Sequence, residues 1–223
     1  MLTVHHLNNS RSQRLLWLLE ELGVPYEIVH YERDPKTMLA PQTLKKVHPL
    51  GKSPIITDNG QTVVETGAII EYILDGYGKG RLAPKAGTPE HLRYTYWMYY
   101  AEGSAMPPLL LKLVFGRIAK HRAPFFMRPI LKQISKSVQG TLIDPQLATH
   151  IGYWEDELSK HAWFAGEEFT AADIQMSFPA EATAARAGIG ERYPKLQGFL
   201  DRIHARPAYL RALERGGPYA LAR

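Results

Sequence analysis

The sequence contains no cysteine among its 223 residues. A disulfide, a Cys-X-X-Cys redox pair, a thiolate metal site and a cysteine nucleophile are therefore all excluded. If the protein performs thiol chemistry, the sulfur atom has to arrive with a ligand. The nine histidines show no spacing typical of metal ligands, so the sequence predicts no metal site.

Long apolar stretches are also missing, since no run approaches the roughly 20 residues that a membrane-spanning helix needs. The amino terminus lacks the basic and apolar regions of a secretory signal, so we expect a cytoplasmic protein. The formal net charge of +5 is modest for this length and gives no strong reason to expect a nucleic-acid partner. It suits small anionic substrates, although a mixed solvated surface is the simpler explanation.

Residues 1–80 alternate between strand and helix patterns. Residues 2–7 and 26–30 are typical of strands, and residues 13–22 of a helix that Gly23 ends in the C-cap position. This order of elements opens a β-α-β block.

A second pair of short strands, at 55–57 and 62–64, flanks Asn59-Gly60, a dipeptide that readily takes the positive φ of a tight hairpin turn. A helix from residue 66 to about residue 77 completes the unit. The sequence therefore predicts an α/β domain with a small, mixed, four-stranded sheet and flanking helices.

After a linker rich in glycine and proline at 81–88, the pattern changes to helices alone. We expect an all-helical bundle domain over residues 89–223. Its helices are predicted at 89–119 (with Pro107-Pro108 as a candidate kink), 124–139, 145–160, 171–187, 195–205 and 207–214.

Thr170 and Asp173 have the spacing of a capping box, and Phe169 and Ile174 that of a hydrophobic staple. An acid in the first turn also complements the helix dipole. These residues stabilise the start of a helix, so we assign them no catalytic role.

Two short motifs flank the predicted hairpin. Leu50-Gly51-Lys52-Ser53-Pro54 forms a loop that ends at an X-Pro bond, and Glu65-Thr66 places an acid and a hydroxyl at the start of a helix. A cation, a proline-shaped backbone edge and a helix N-terminus are thereby brought close together. This combination suits a small extended peptide that carries a carboxylate at each end.

With these motifs in this order, the chain resembles the glutathione S-transferase family, and the cytosolic, bacterial-like, serine-type members in particular. The Gly-Lys-Ser-Pro loop and the Glu-Thr pair resemble the thioredoxin-like domain. The Phe-Thr-Ala-Ala-Asp-Ile capping motif, together with Tyr193-Pro194-Lys195-Leu196 and Arg206-Pro207-Ala208-Tyr209, resembles the all-helical domain. Thr66 stands where serine is commoner in the family, and His48 where asparagine is usual.

The resemblance implies glutathione, γ-Glu-Cys-Gly, as ligand and substrate, and no metal. It implies a cis Ser53-Pro54 bond, which leaves the Ser53 backbone free to pair with the cysteinyl part. It also implies that Thr66 binds the γ-glutamyl carboxylate at a helix N-terminus, that Glu65 takes the α-ammonium, and that Lys52 meets the glycine carboxylate or its neighbouring backbone. Taken singly, Lys52 is equally explained as a solvated loop charge and Thr66 as a helix cap.

Related proteins form homodimers, and this chain is expected to do the same. On the long helix of such dimers, an acid near Glu102 reaches the γ-glutamyl ammonium held by the other subunit. A solvated surface acid is the alternative explanation for Glu102.

The glutathione thiol needs activation, because a free thiol with a pKa near 8.5 is only a few per cent ionised at neutral pH. Lowering that pKa by about two units requires roughly 2.7 kcal/mol of preference for the thiolate. One hydrogen bond to a charged group supplies about 1.5–3 kcal/mol, and a helix N-terminus about 0.3–1 kcal/mol. A single hydroxyl at the start of the first helix is therefore about enough.

We assign this role to Ser10, because it precedes Arg14 by four residues, the spacing seen in serine-type members of the family. Ser12 is the second candidate for the catalytic hydroxyl, or else the helix cap. Asn8, Asn9 and backbone N–H groups remain open alternatives. The first strand and the loop after it contain no tyrosine, which argues against a tyrosine-type mechanism.

The second substrate is expected to be a small hydrophobic electrophile that binds between the domains. Its predicted pocket consists of apolar and aromatic residues: Tyr99, Met106, Phe115 and Phe126, with Leu110 and Trp163 as further candidates. The leading hypothesis is a glutathione transferase of the EC 2.5.1.18 type, acting in detoxification. Glutathione-dependent reduction of organic hydroperoxides and a non-catalytic glutathione-binding protein are the alternatives.

Basic residues cluster around Phe125 and Phe126. They are Arg117, Lys120, His121, Arg122, Arg128, Lys132 and Lys136. Such a segment is compatible with a membrane-surface or nucleic-acid contact. A solvated helix face with a loop is the more economical interpretation, so the sequence favours no nucleic acid and no membrane association.

Overall fold

In the computed structural model, which describes residues 1–221, the N-terminal unit is built on a four-stranded mixed sheet. Its strands lie in the order β2-β1-β3-β4. β1 pairs in parallel with β2 and antiparallel with β3, and β3 pairs antiparallel with β4. The bounds are β1 Thr3–Leu7, β2 Glu27–Tyr31, β3 Ile55–Asp58 and β4 Gln61–Val64. This topology confirms the predicted fold class of the unit.

The local turn signals act as predicted. Asn59 and Gly60 take φ values of 48° and 79° in the hairpin between β3 and β4, and Gly23 ends helix α1, Gln13–Leu22, at a φ of 65°. Helix α2 covers Thr66–Ile73 and continues into a wider turn, Leu74–Gly78. Between β2 and β3, residues Gln42–Lys46 form a short 3-10 helix.

The second unit is helical, as predicted, and confirms the second half of the fold. Its helices are α3 Pro89–Tyr100, α4 Met106–Ala119, α5 Arg128–Val138, α6 Asp144–Lys160, α7 Ala171–Arg186, α8 Pro194–His204 and α9 Pro207–Gly216. The predicted helix over 89–119 is divided by a wide turn at Ala101–Ala105. Pro107 and Pro108 lie in the first turn of α4, where a missing N–H breaks no intrahelical bond.

The capping box at the start of α7 is confirmed. The Thr170 N–H donates to Asp173 Oδ2 at 2.8 Å, and the Ala172 N–H donates to Thr170 Oγ1 at 3.3 Å. Asp173 Oδ1 also accepts the Phe164 N–H at 2.9 Å, so the carboxylate ties the preceding loop to the helix. Burial raises the pKa of Asp173 to about 6, against the opposing effect of these hydrogen bonds.

Helix α1 holds the two units together. Trp17 packs edge-to-face on Tyr209 of α9 with the ring centroids 5.1 Å apart, and Arg206 binds both carboxylate oxygens of Glu21, with its Nε at 2.5 Å. The first turn of α1 therefore lies at the junction between the sheet and the helical unit. Within residues 1–221, no helix is long and apolar enough to cross a membrane.

Candidate functional site

A cavity of about 330 Å³ opens where the N-terminal unit meets the helical unit. It brings together the residues that the sequence assigned to the ligand, namely Lys52, Ser53, Pro54, Glu65, Thr66 and Glu102. Arg11, His48, Leu50 and Val64 complete its lining. The volume lies at the small end of the range of ligand pockets, about 300–1,000 Å³.

One wall of the cavity is formed by backbone. The Ser53-Pro54 peptide bond is cis, as the resemblance implied, and it leads directly into β3. Ser53 and Pro54 both line the cavity.

The opposite wall is the start of α2. Thr66 is the first residue of this helix, where backbone N–H groups lack intrahelical acceptors and favour an anion. Glu65 precedes it with φ 71° and ψ 126°, a conformation that costs a non-glycine residue about 1–3 kcal/mol and is typical of functional sites. The Ile69 N–H holds this turn by donating to the Glu65 carbonyl at 2.9 Å.

Glu102 reaches the cavity of its own chain from the wide turn between α3 and α4. Arg14 Nη1 donates to Glu102 Oε1 at 2.7 Å and to Gln175 Oε1 at 2.8 Å, and Arg11 Nε lies 3.0 Å from Glu102 Oε2. Burial works to raise the pKa of Glu102, but Arg14 and Arg11 outweigh it and hold that pKa below its ordinary value. The carboxylate therefore stays charged, and the expected reach into a partner subunit stays a prediction.

Ser12, one of the two predicted catalytic residues, has a fully buried hydroxyl that joins β1 to α1. The Leu7 N–H donates to Ser12 Oγ at 3.2 Å, and Ser12 Oγ lies 2.9 Å from His6 Nδ1. Burial, with a further contribution from His30, lowers the pKa of His6 to about 4, so its imidazole is neutral at physiological pH. Ser12 Oγ also donates to the Leu7 carbonyl at 3.4 Å.

Ser10, the other candidate, lies between Ser12 and the cavity. Its Oγ accepts the Ser12 N–H at 3.2 Å and lies 2.7 Å from Ser12 Oγ and 3.2 Å from Ser53 Oγ. Ser10 is buried behind the lining of the cavity, and its hydroxyl is next to Ser53, which lines that cavity.

Both asparagine alternatives have other partners. Asn8 Oδ1 accepts the Arg33 N–H at 3.0 Å, and Asn9 Oδ1 accepts the Ala220 N–H at 2.7 Å. Each side chain fastens the loop after β1 to another segment of the chain. Both contacts use the amide oxygen, so the Nδ2 donors of Asn8 and Asn9 keep these residues as alternatives to a serine.

Four arginines, Arg11, Arg33, Arg117 and Arg186, influence one another electrostatically, and Arg11 lines the cavity. Burial lowers the pKa of Arg33 and of Arg186, and in both cases the positive charges of Arg11 and Arg117 lower it further. Among the charged residues that line the cavity, Arg11 and Lys52 are balanced by Glu65 and Glu102. Within residues 1–221, no group of three or more histidine, aspartate or glutamate side chains is arranged to hold a metal ion.

The residues predicted for the electrophile pocket are not brought together. Tyr99, 69% exposed, borders a second cavity that shares Glu65, Thr66 and Glu102 with the first. Met106 is buried in the core, and Phe126 is 61% exposed on the loop before α5. The remaining candidates differ as well: Phe115 packs half-buried against the core, Leu110 is exposed, and Trp163 packs against Phe169 and Phe199.

Sequence reasoning missed the contribution of the buried arginine. Arg14 served only to locate Ser10, yet it is 2% exposed and connects α1 to Glu102 and to Gln175 of α7. Its guanidinium also lies over the Phe178 ring, 5.1 Å from the centroid. The available signal was an arginine directly before the apolar run of α1, residues 15–19, because an arginine buried there requires an acidic partner.

Comparisons with known proteins agree with this geometry. Residues 1–75 match the model of the glutathione S-transferase N-terminal domain, and residues 119–207 match that of the C-terminal domain. The chain is 36% identical to glutathione S-transferase 3 of Schizosaccharomyces pombe over 216 residues, which cover 96% of this chain and 88% of that protein. Glutathione S-transferase 1 of Saccharomyces cerevisiae is 29% identical over 223 residues, covering 96% and 95% of the two chains.

A crystal structure of a glutathione S-transferase from Actinobacillus pleuropneumoniae has a TM-score of 0.79 and 31% identity, and the likeness covers 100% of this chain and 96% of that one. The fold, the cavity and these relatives place the chain in a class of two-domain proteins with a thioredoxin-like and a helical unit. The chain belongs to the glutathione S-transferase family.

Proposed function

We propose that this protein is a glutathione transferase, which binds glutathione and adds its sulfur to an electrophilic carbon of a small hydrophobic molecule. The names of its relatives support the activity at the level of the family. The cavity supports the ligand, because it joins a cationic loop, a peptide-shaped backbone edge and a helix N-terminus within one pocket.

In the proposed complex the tripeptide extends from α2 to the loop before β3. Its γ-glutamyl carboxylate binds at the N-terminus of α2 with the Thr66 hydroxyl, and its ammonium faces Glu65 and Glu102. The cysteinyl backbone pairs with Ser53, and the glycine carboxylate meets Lys52. Each charged group of the ligand thus faces a group of opposite charge: its ammonium faces the two glutamates, and its two carboxylates face the helix N-terminus and Lys52.

The observation that carries the proposed chemistry is the position of Ser10 between Ser12 and Ser53. Its oxygen already accepts the Ser12 N–H at 3.2 Å and lies 3.2 Å from Ser53 Oγ on the cavity wall, and we infer that its hydroxyl proton turns to the cavity when glutathione binds. Donated to the cysteinyl sulfur, that proton stabilises the thiolate, and the start of α1 adds a favourable dipole. We expect the thiol proton to leave to solvent when glutathione binds.

In the transfer step, the thiolate donates its electron pair to the electrophilic carbon, and a carbon–sulfur bond forms. On a halogenated aromatic substrate, the carbon–halogen bond then breaks and halide leaves with its electron pair. Ser10 remains protonated throughout, so its role is to stabilise the thiolate rather than to remove the proton.

The proposal is tested by binding glutathione in a calorimeter and by assaying turnover of a halogenated aromatic against an organic hydroperoxide. We expect micromolar to millimolar binding and conjugation of the aromatic. Ser10→Ala should lose most turnover with little change in the dissociation constant. Ser137→Ala, an exposed serine on α5, is the matched control.

Each contrary outcome has a definite meaning. Absence of binding contradicts the proposal entirely, and binding without turnover of either substrate indicates a non-catalytic glutathione-binding protein. Turnover of the hydroperoxide alone indicates a peroxidase, in which the same thiolate attacks an O–O bond.

We also propose that the chain forms a homodimer through one face of α3. Leu92, Tyr96 and Tyr99 follow one another at spacings of four and three residues on that helix, and all three are exposed. A scattering or sedimentation mass of twice 25.2 kDa is expected. Tyr96→Glu should shift the protein to the monomer, and a monomeric wild type would contradict the proposal.

A further inference from the structure

The hairpin formed by α4 and α5 has a charge distribution that the proposed reaction does not use. From residue 103 to residue 143 the chain has no aspartate or glutamate, although it contains 22 acids in all. The same segment contains seven basic residues: Lys112, Arg117, Lys120, Arg122, Arg128, Lys132 and Lys136. Since the whole chain has a net charge of only +5, this segment accounts for its positive charge.

Most of these cations have no acidic partner. Lys112 pairs with Asp144 at 2.7 Å, at the far end of the hairpin. In the described residues 1–221, by contrast, Lys120, Arg122 and Arg128 are exposed and none of them takes part in an ion pair. Their charges therefore remain available to an anionic partner.

These three cations belong to the loop that leads from α4 to the first residue of α5, residues 120–128, which we call the tip loop. Phe125 is 81% exposed and Phe126 61% exposed at its centre, and Met127 beside them is exposed as well. The two rings contact each other edge-to-face with centroids 5.7 Å apart. The structure thus shows adjacent apolar rings in solvent, which a purely solvated loop does not require.

The loop has a defined backbone conformation. The Met127 N–H donates to the Pro124 carbonyl at 3.0 Å, and Arg128 Nε donates to the Ala123 carbonyl at 3.0 Å. The rings are therefore presented on a closed turn at the start of α5, and little conformational entropy is lost when they bind.

The combination of protruding aromatic rings and unpaired cations fits the surface of an anionic bilayer. Aromatic rings favour the region between headgroups and acyl chains, and each basic residue near an anionic membrane strengthens binding. A single-stranded nucleic acid requires a basic groove in which bases stack in succession, whereas these rings project from the end of a helical hairpin. The chemistry thus favours lipid over nucleic acid.

We propose that the tip loop docks reversibly on anionic lipid membranes. Phe125 and Phe126 enter the interfacial region, while Lys120, Arg122 and Arg128 face the anionic headgroups. The contact is peripheral, because two aromatic rings and a few cations give marginal, salt-sensitive binding rather than insertion. It is independent of glutathione, so it stands whether or not the proposed reaction is correct.

The test is co-sedimentation of the full chain with two kinds of vesicle, one of phosphatidylcholine alone and one of equal parts phosphatidylcholine and phosphatidylglycerol. We expect binding to the second kind only, weakening as salt is added. Phe125→Ser with Phe126→Ser should reduce the partition coefficient at least about tenfold. Lys120→Glu with Arg122→Glu should reduce it by a similar factor or more.

Matched controls change the same chemistry elsewhere on the surface. Leu210→Ser removes an exposed apolar side chain from α9, and Lys85→Glu with Lys195→Glu reverses two exposed charges outside the hairpin. Both control variants should bind vesicles as the wild type does. Circular dichroism verifies that every variant is folded.

Several results would overturn the proposal. They are absence of binding to the anionic vesicles, equal binding to both kinds of vesicle, and unchanged binding of the two tip-loop variants. Concentration-dependent self-association that the Phe125→Ser, Phe126→Ser variant abolishes, without vesicle binding, would assign the loop to a second copy. Binding of an oligonucleotide in place of vesicles would assign it to nucleic acid.

Discussion

The N-terminal unit and the helical unit contribute to the site by different means. The N-terminal unit supplies backbone features fixed by short stretches of sequence: the cis bond before Pro54, the start of α2 at Thr66 and the hairpin between them. The helical unit supplies side chains held by distant partners, above all Glu102. The positions of the site residues therefore depend on local structure in the N-terminal unit and on tertiary packing in the helical unit.

The largest effect is expected from removing the cap of α7 in the helical unit. Asp173→Ala leaves the buried N–H groups of Thr170 and Phe164 without acceptors, so we expect the free energy of unfolding to fall by about 3 kcal/mol. Urea unfolding measures this change. Because Asp173 bonds to Phe164 and Thr170, and neither residue lines the proposed glutathione cavity, the folded fraction should keep its affinity.

The control for this variant is Asp156→Ala, which removes an exposed aspartate from α6. Its stability should stay within about 0.5 kcal/mol of the wild type. A weaker affinity of folded Asp173→Ala for glutathione would contradict the expectation that the cap of α7 affects stability but not ligand binding.

A smaller effect is expected from Glu102→Gln, which removes the acid that the helical unit places at the site. Arg14 is fully buried and loses its charged partner, but Glu102 is a third exposed, so we expect a loss of about 2 kcal/mol near neutral pH. Since the pKa of Glu102 is lowered in the folded protein, its contribution is present above the unfolded pKa and disappears as the pH falls through the folded pKa.

Urea unfolding of wild type and Glu102→Gln at neutral pH and at an acidic pH below the folded-state pKa of Glu102 measures this dependence. The two curves should differ at neutral pH and converge in acid. Glu90→Gln, an exposed acid on α3, should behave as the wild type at both values. A constant difference at both pH values would contradict the role of the ion pair.

The smallest effect is expected at Thr66, in the N-terminal unit. Thr66→Val removes one hydroxyl with little change of shape, so we expect the dissociation constant for glutathione to rise about tenfold. The free energy of unfolding should barely change. Calorimetry measures the affinity, and Thr66→Ser, which keeps the hydroxyl, should bind as the wild type does.

The difference between local structure and long-range packing also explains which features the sequence could predict. The hairpin at Asn59-Gly60, the helix end at Gly23 and the cap formed by Thr170 and Asp173 depend on neighbouring residues, and the structure has all of them. The cis bond before Pro54 was implied by family resemblance and is also present.

Features that depend on packing between distant segments could not be read in this way. Arg14 meets Glu102 across 88 residues and Gln175 across 161 residues, which no local pattern encodes. Helical spacing likewise does not tell whether Tyr99, Met106 or Phe126 faces a pocket, the core or solvent. The orientation of each helix decides that, and the structure places the three in different surroundings.

The central claim is that Ser10 stabilises the glutathione thiolate at the junction of the two units. The most direct test is a pH titration of the ultraviolet absorbance of the thiolate in the complex with glutathione, for the wild type and for Ser10→Ala. We predict a wild-type midpoint about two units below the free thiol pKa of roughly 8.5, and a midpoint near the free value in the variant. Equal midpoints in the two proteins, with glutathione bound to both, would contradict this assignment.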